Sequence, residues 1–371
     1  MIYWLVNRNN DLLAQPNRQH KQQGVALITV MLIVALCAVI ASQMTARLQI
    51  QMQRSSNIAS NQQAYWYAMG AEAFTKRVLI TAFKKDKEVT HLGQIWAKGK
   101  TTFPVDFGEI NGEITDLQSC LNLNALRAPL GNSTGNAMSG SGKNTNKTNN
   151  KTNNKTNNKK ISQQKVPARL AFEALLINLH LDGVSPFEAE SMADALTDWL
   201  DEDGRMSGSG GAEDDDYAAK AFPYLAANNF LASVNELRLI EHFTPAIINE
   251  IKPYVCVIPM SDMHKININT LDAEQPELLQ ALLDSSLEAA EQILSARGVE
   301  GFETTDEFYG LSEFSRIKKS DDKKDQFVVD SEYFTLKTTA SFNDSYFGMK
   351  SVMKITNNKY IDVISRTIGR N

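Results

Sequence analysis

The segment K21-QQGVALITVMLIVALCAVIASQMTA-R47 carries no charged side chain between its two end residues. Residues 25–46 are mostly apolar, and about 20 residues of this kind are enough for a helix to cross a bilayer. The segment therefore predicts a membrane-spanning helix near the amino terminus. A plain signal anchor has the same composition, so the helix alone does not identify a class of protein.

The leader that precedes this helix, residues 1–24, is polar and weakly basic. It has three basic residues and one acid, Asp11. Positively charged residues beside an apolar helix tend to stay in the cytoplasm. We therefore predict that the amino terminus is cytoplasmic and that the rest of the chain is exported.

The helix is predicted to continue beyond the membrane. Between Arg47 and Val78 there is no proline, and the only glycine is Gly70. Apolar and aromatic side chains recur there at roughly helical spacing. A helix over residues 25–78 would be about 80 Å long at 1.5 Å per residue, which makes it a membrane anchor and the spine of an exported head. The alternative is a signal anchor with an unrelated short stalk.

Strand patterns lie on both sides of a long, mostly helical middle. Residues 108–118 predict a β-hairpin with Asn111-Gly112 at its turn. Near the carboxyl terminus, alternating patterns predict strands over 333–342, 350–356 and 360–368, with Asn357-Asn358 as a tight connection. This layout predicts an α+β fold in which a long amino-terminal helix packs on an antiparallel sheet that a large helical insertion interrupts.

Composition narrows the function. The chain has 371 residues, 43% apolar residues and a net charge of −5. Mild acidity disfavours nucleic acid as a partner, because phosphate binding needs a basic face. Of the three cysteines, Cys37 lies in the membrane segment. Export permits a disulfide between Cys120 and Cys256, and two free buried thiols are the alternative.

Residues 131–161 predict a low-complexity loop, because Lys-Thr-Asn-Asn repeats there without apolar side chains that could bury surface. Beside it, G131-NST-G135 matches a hydrolase nucleophile pattern around Ser133. That pattern needs a strand before it and a helix after it, and neither is predicted. The sequence therefore does not predict an enzyme.

An acidic segment, D198-WLDEDGRMSGSGGAEDDD-Y217, has eight carboxylates and one arginine in 20 residues. Like charges this close resist a compact loop unless a cation neutralises them. Ca²⁺ suits the segment, since it takes six to eight oxygen ligands and tolerates irregular loops. The spacing is not that of an EF-hand, because Trp199 and Gly210 would occupy ligand positions. A solvated acidic loop is the alternative.

Residues 265–310 predict a helix-hairpin-helix unit in which Thr270 caps the first helix and Ser285 or Ser286 caps the second. Units of this kind often bind DNA. Here the second helix carries Glu288 and Glu291, so packing is the predicted role.

Three parts of the sequence resemble a known family. Gly24 followed by an apolar helix resembles the processing site of type IV prepilins and type II secretion pseudopilins, where a membrane peptidase cuts after the glycine. The fifth residue after that point is Thr29, whereas most pilins have glutamate there. That departure, together with Q62-QAYWYAMGA-E72 and L121-NLNA-L126, is similar to the K class of minor pseudopilins.

The resemblance implies a minor pseudopilin of the type II secretion system that caps the pseudopilus tip and starts its assembly. Its expected partners are I- and J-class pseudopilins, the inner-membrane platform and the prepilin peptidase, and no enzymatic activity is expected. It implies a Gram-negative inner-membrane protein with a periplasmic head whose mature chain starts at Val25. The implied parts are a leader (1–24), a spine helix (25–78), a first sheet part (79–120), a helical insertion (121–325) and carboxyl-terminal strands (326–371).

The resemblance also implies calcium, because the K class carries this ion near a stretch like G211-AEDDD-Y217. The implied ligands are Asp201, Asp203, Glu213, Asp214 and Asp216, with Asp198 and Asp215 less favoured. The ion would be structural. Two alternatives remain: a type IV pilus minor pilin or DNA-uptake component, and a membrane-anchored hydrolase.

Overall fold

The structure is a computed structural model that describes residues 23–85, 89–127, 165–317, 320–356 and 360–369. The predictions on residues 1–22, on the loop 131–161 with Ser133, and on Asn357-Asn358 lie outside these residues. The chain divides into two compact units, 1–60 and 61–371.

Helix α1 runs through Gln23–Lys85 without a break. Within residues 24–85 this helix contains a stretch of 18 residues that is apolar enough for a membrane span. The described part of the first unit consists of this helix alone, and its apolar side chains, from Val25 to Ile58, are exposed. The predicted end at Val78 is wrong, because Leu79, Ala82 and Phe83 extend the buried face of the helix by two further turns.

The second unit contains nine strands and eight further α-helices within the described residues. The strands are β1 (Thr101–Val105), β2 (Gly108–Asp116), β3 (Leu121–Asn122), β4 (Val255–Cys256), β5 (Ile266–Asn267), β6 (Phe327–Val328), β7 (Tyr333–Phe342), β8 (Ser345–Thr356) and β9 (Tyr360–Ile368). The helices are α2 (Pro167–Asn178), α3 (Pro186–Leu200), α4 (Asp214–Ala218), α5 (Pro245–Ile251), α6 (Glu277–Leu283), α7 (Leu287–Ala296), α8 (Thr305–Tyr309) and α9 (Ser312–Ser315). Short 3₁₀ turns cover Ile95–Ala97, Leu123–Arg127, Val234–Leu239 and Ser320–Gln326.

A five-stranded antiparallel sheet has the order β1-β2-β7-β8-β9. The carboxyl-terminal part of α1 covers one face of it, with Leu79 and Phe83 packed in one cluster with Phe334. Ala68, earlier on the helix, packs with Ala340 and Met349. The predicted α+β fold, a long helix on an antiparallel sheet with a helical insertion, is confirmed.

The hairpin predicted at Asn111-Gly112 is wrong. These two residues lie inside β2, which pairs with β1 on one side and with β7 on the other. The turn is at Asp106-Phe107 instead, where Phe107 has φ +60°. A central strand satisfies its backbone hydrogen bonds on both sides, and this gain outweighs the local turn preference of Asn-Gly.

An ion pair between the buried Glu72 and the exposed Arg366 connects α1 with the outermost strand, β9. Glu72, which is 3% exposed, accepts two hydrogen bonds from the guanidinium of Arg366 at 2.7 and 2.8 Å and one from Ser351 Oγ at 2.7 Å. Burial opposes ionisation of Glu72, but these hydrogen bonds outweigh it and hold the pKa of the carboxyl below its usual value. The carboxylate of Glu72 is therefore ionised, and its ion pair with Arg366 holds β9 against α1.

The insertion leaves the sheet at the end of β2 and returns at the start of β7. Asp116, at that exit, accepts hydrogen bonds at 2.6 Å from the hydroxyls of Thr270 and Ser331. The prediction that Thr270 caps a helix is therefore wrong, and the first helix of that unit begins at Glu277.

Cys120 and Cys256 form a disulfide at the parallel pair of β3 and β4. This bond closes the first part of the insertion.

The insertion has one apolar core to which both of its halves contribute. Phe172 and Trp199 come from the first half, and Leu282 and Phe308 from the second. The second half contains α6 and α7, joined by Asp284, Ser285 and Ser286. Ser286 Oγ accepts a hydrogen bond from Ala289 N at 3.3 Å, so it is the cap of the second helix.

Candidate metal centre

Helix α3 brings the acidic segment to its place. Ser185 caps the helix and Pro186 is its first residue, and Glu188 accepts a hydrogen bond from Ser185 N at 3.1 Å. Met192 and Trp199 anchor the buried face of the helix in the core of the insertion. The helix ends at Leu200, so the packing of the helix in the core fixes the position at which the acidic loop begins.

Glycines allow the loop to fold back closely along α3. A Cβ on Gly208 would lie 2.2 Å from Asp194 Oδ2, and a Cβ on Gly211 would lie 2.2 Å from Asp198 Oδ2. Gly208 also has φ +64°, which favours glycine. The loop is held there by hydrogen bonds from Ser207 N to Asp198 Oδ1 at 2.8 Å and from Gly210 N to Asp194 Oδ2 at 3.1 Å.

Three of the predicted ligands come together. Asp201, Asp203 and Glu213 each offer a carboxylate oxygen, and these three atoms lie within 4.8 Å of one another. Asp201 is at the end of α3, Asp203 follows it in the loop, and Glu213 precedes α4. A single ion between them would contact all three carboxylates.

Buried oxygens without partners point to the same place. Asp201 Oδ1, both carboxylate oxygens of Glu213 and Asp198 Oδ2 are buried and form no hydrogen bond within the described residues. Glu213 is 6% exposed and Asp198 is fully buried. An unpaired buried carboxylate is costly, and a bound cation removes that cost.

The pKa values of these groups have the same physical cause. Burial, followed by repulsion from neighbouring carboxylates, raises the pKa of Asp201 to about 6 and that of Glu213 to about 7. Burial also raises the pKa of Asp198. The chemistry of this donor set, oxygen only and negatively charged, suits a hard divalent cation such as Ca²⁺.

The structure does not bring the other predicted ligands into the three-carboxylate cluster. Asp214 Oδ1 accepts a hydrogen bond from Ala226 N, and Asp216 Oδ2 accepts one from Glu213 N, both at 3.0 Å. Asp215 is exposed. Asp198, which the sequence ranked lower, has a buried carboxylate oxygen, Oδ2, without a hydrogen-bond partner in the described residues. Its position therefore favours Asp198 as a ligand over Asp214 and Asp216. All these assignments remain predictions.

Sequence reasoning missed the buried Arg169. Its guanidinium bonds Asp194 on α3 and Glu173 within its own helix, and it is 9% exposed. Asp194 also accepts a hydrogen bond from Gly210 N, so Arg169 fixes the carboxylate to which the acidic loop is bonded. Nothing in the local sequence distinguishes it from a surface arginine, since its partner lies 25 residues away.

Sequence reasoning also missed a repeat. L121-NLNA-L126 and I266-NINT-L271 share the pattern N-x-N, and each begins with a strand of a two-residue parallel pair. In both, the first asparagine accepts a hydrogen bond from the backbone N–H of the second. Comparing the two motifs directly would have revealed it.

Comparison with known proteins assigns the chain to a family. Models described as "Type II secretion system (T2SS), protein K" match residues 119–260 and 266–330. Type II secretion system protein K of Dickeya chrysanthemi is 40% identical, over 94% of this chain and 97% of that protein. The chain belongs to the type II secretion system protein K family. The protein K of Aeromonas hydrophila is 37% identical, over 90% of this chain and 92% of that protein.

A solved structure agrees with the protein K assignment. A chain in the crystal structure of the GspK-GspI-GspJ complex from enterotoxigenic Escherichia coli superposes with a TM-score of 0.70 at 29% identity. The match covers 86% of this chain and 100% of the other. The family resemblance read from residues 24–72 and 121–126 is therefore confirmed, and the protein is a pseudopilin component of type II secretion.

Proposed function

We propose that this protein K caps the tip of the type II secretion pseudopilus and starts its assembly with I- and J-class pseudopilins. The observation that carries the proposal is the match to a chain of a GspK-GspI-GspJ complex, which covers 86% of this chain and 100% of the other. The assembly would serve protein export and would stand on the inner-membrane platform. The proposed role is structural, and no enzymatic step is assigned to the chain.

The position of the insertion supports capping. Phe334, where β7 begins, packs beside Leu79 and Phe83 near the end of α1, and it pairs with Asp116, where the insertion leaves the sheet. Ala68, earlier on the helix, packs at the opposite end of β7. The insertion therefore starts at the end of the sheet that packs against the carboxyl-terminal end of α1. A subunit added beyond that end would meet the insertion.

Thr29 also supports a position of this subunit at the tip of the pseudopilus. Its hydroxyl donates a hydrogen bond to Ala26 O at 2.9 Å, so it is satisfied inside α1. A glutamate there would need a cation from a neighbouring subunit, because an unpaired carboxylate in lipid is expensive. A tip subunit has no neighbour above it to supply one.

We further propose that the insertion binds Ca²⁺ through Asp201, Asp203 and Glu213, with Asp198 beside them. The ion would neutralise carboxylates that otherwise repel one another and would fix the loop between α3 and α4. Calcium sites in proteins outside the cytoplasm commonly have weak to moderate affinity for the ion. The role is structural.

Calcium affinity is expected to fall at acidic pH. The raised pKa values of Asp201 and Glu213, about 6 and about 7, mean that both groups hold protons below these values, and calcium must displace them. Affinity should therefore reach its maximum only about one unit above pH 7 and fall by about tenfold or more between pH 7.5 and pH 5.5. Titration calorimetry at pH 7.5 and 5.5 measures it. Equal affinity at both values would contradict the site.

We propose that the amino terminus is cytoplasmic, that the head is periplasmic and that a prepilin peptidase cuts between Gly24 and Val25. The intact mass of protein purified from cells with the peptidase should correspond to a chain starting at Val25. Without the peptidase, or with Gly24→Leu, residues 1–24 should be retained. An Ala26→Ser variant is the control and should be processed normally. A peptidase-independent start at another residue would contradict the proposal.

DNA uptake is not proposed for this chain. The turn between α6 and α7, where related units approach a phosphate backbone, has Asp284 at φ +50°. A carboxylate at that point repels phosphate. Glu277 and Glu288 flank it, and Arg297 is turned inward to the carbonyls of Ile268 and Leu271.

A further inference from the structure

A cavity of about 250 Å³ lies in the second unit between α1, the turn before β1 and the β1–β2 hairpin. Phe74 and Val78 of α1 form one wall, and Trp96 and Phe103 form another. Leu336 of β7 lies at its floor. The lining is mostly apolar, and the cavity is distinct from the acidic loop of the insertion.

Gly112 of β2 is one of the residues that line the cavity. Gly112 pairs with Thr101 on β1 and with Thr338 on β7. A Cβ on Gly112 would touch only Leu336 Cδ1, at 3.8 Å, which is an ordinary contact. A larger residue would therefore fit in the fold and fill the cavity. The space is a feature of the surface and is not required by the packing of the sheet.

Exposed apolar side chains surround the opening. Phe74 is 52% exposed, Ile95 is 55% exposed and Phe103 is 42% exposed. Phe74 and Phe103 meet edge to face, with ring centroids 5.6 Å apart. An apolar pocket with exposed aromatic residues around it is typical of a surface that another protein covers.

One cation lines the cavity, and a second lies two residues further along the chain. Lys98 lines the cavity, and Lys100 follows it after Gly99, which has φ +74°. Both lysines are exposed, and neither forms an ion pair with the residues that the structure describes. The charge complement of this opening is a carboxylate.

We propose that this cavity receives one bulky apolar side chain of a neighbouring I- or J-class pseudopilin, carried next to a carboxylate that pairs with Lys98 or Lys100. The inference rests on the proposed assembly with those classes and identifies where one of them docks. A cavity of about 150 Å³ holds a benzene molecule, so 250 Å³ admits one aromatic or large aliphatic side chain and excludes a helix or strand. The occupant is a single anchor residue in a loop.

The test uses the full-length chain expressed together with the I- and J-class pseudopilins. A photo-crosslinking residue, p-benzoylphenylalanine, replaces Ile95 at the opening of the cavity. In a second strain it replaces Trp66, which is 63% exposed on α1 and outside the cavity. Mass spectrometry identifies the crosslinked peptide. The expected result is that the probe at 95 forms adducts with an I- or J-class peptide containing an acidic residue next to an apolar one.

Two variants test the cavity itself. Gly112→Val fills it, and Lys98→Glu reverses its charge, so each should lower the adduct yield at 95 by at least about fivefold. The yield from the probe at 66 should stay within about twofold in both variants. Lys252→Glu, an exposed lysine on the insertion, is the matched control and should leave both yields unchanged.

Each outcome is decisive. Adducts from 66 without pseudopilin adducts from 95 would overturn the docking site and leave the proposed assembly standing. Adducts from 95 that neither Gly112→Val nor Lys98→Glu reduces would also overturn it, as would adducts with phospholipid only. If neither probe reaches an I- or J-class chain and the three chains do not purify together, the proposed assembly fails, and the docking site fails with it.

Discussion

Glu213→Gln is expected to lower the calcium affinity of the protein by roughly 100-fold, because it removes one of three carboxylates that face a single point. Asp201→Asn should have a similar effect. The measurement is calcium titration of the purified full-length protein. In the wild type, a chelator should lower the melting temperature, since ligand binding to the folded state stabilises it. In Glu213→Gln the chelator should have almost no effect.

Glu202→Gln is the control for this prediction. Glu202 lies in the same loop, but its side chain is 81% exposed and pairs with Arg127 at the surface. Its neutralisation removes one negative charge without removing a ligand, so affinity should change by about threefold or less. Equal losses in Glu202→Gln and Glu213→Gln would mean that the loop attracts calcium only through its total charge.

The paired change Cys120→Ser with Cys256→Ser is expected to lower the free energy of unfolding by about 4–5 kcal/mol. The disulfide closes a loop of 136 residues, and the stabilisation from restricting the unfolded chain grows with the length of the closed loop. Cys256 lies in β4 and Cys120 directly precedes β3, and these paired strands hold the first part of the insertion together. Urea unfolding of the full-length protein in detergent, followed by tryptophan fluorescence, measures the change.

Cys37→Ala is the matched control for the disulfide. Cys37 is a free cysteine in the apolar part of α1 and should leave the unfolding midpoint unchanged. Reduction of the wild type should reproduce the effect of the double serine variant. A double variant as stable as the wild type would show that contacts around β3 and β4, and not the covalent bond, hold the insertion closed.

Long-range patterns in the sequence predicted most of the fold. The strands over 333–342 and 360–368 occur as predicted. Burial alternates along most of the second strand, whereas the first is buried almost continuously over its first half. The long helix was predicted from the absence of proline over 47–78. Its true end at Lys85 depends on Leu79 and Phe83 packing against Phe334, which comes from the far end of the chain.

Local signals failed where tertiary structure competed with them. Asn111-Gly112 has the sequence of a turn, but β7 pairs with this segment and keeps it extended. Thr270 stands where a cap would stand, but its hydroxyl is used by the buried Asp116, 154 residues earlier in the chain. Neither partner can be located from the neighbouring sequence.

The candidate metal site shows the same limit. The acid count and the glycines predicted the loop, and Asp201, Asp203 and Glu213 do come together. The sequence ranked Asp198 below Asp214 and Asp216, whereas the position of each acid on or off the inner face of the loop depends on how α4 starts. Asp214 and Asp216 are drawn into backbone hydrogen bonds at that start, whereas Asp198 is buried by the return of the loop over α3.

The most direct test of the central claim is the copy number of this chain in its assembly. Native mass spectrometry of the complex purified with its I- and J-class partners should give one copy of protein K per complex, because the insertion blocks addition beyond it. Adding more protein K should not change that number. A complex that holds several copies of protein K, increasing in number with its concentration, would contradict the capping role.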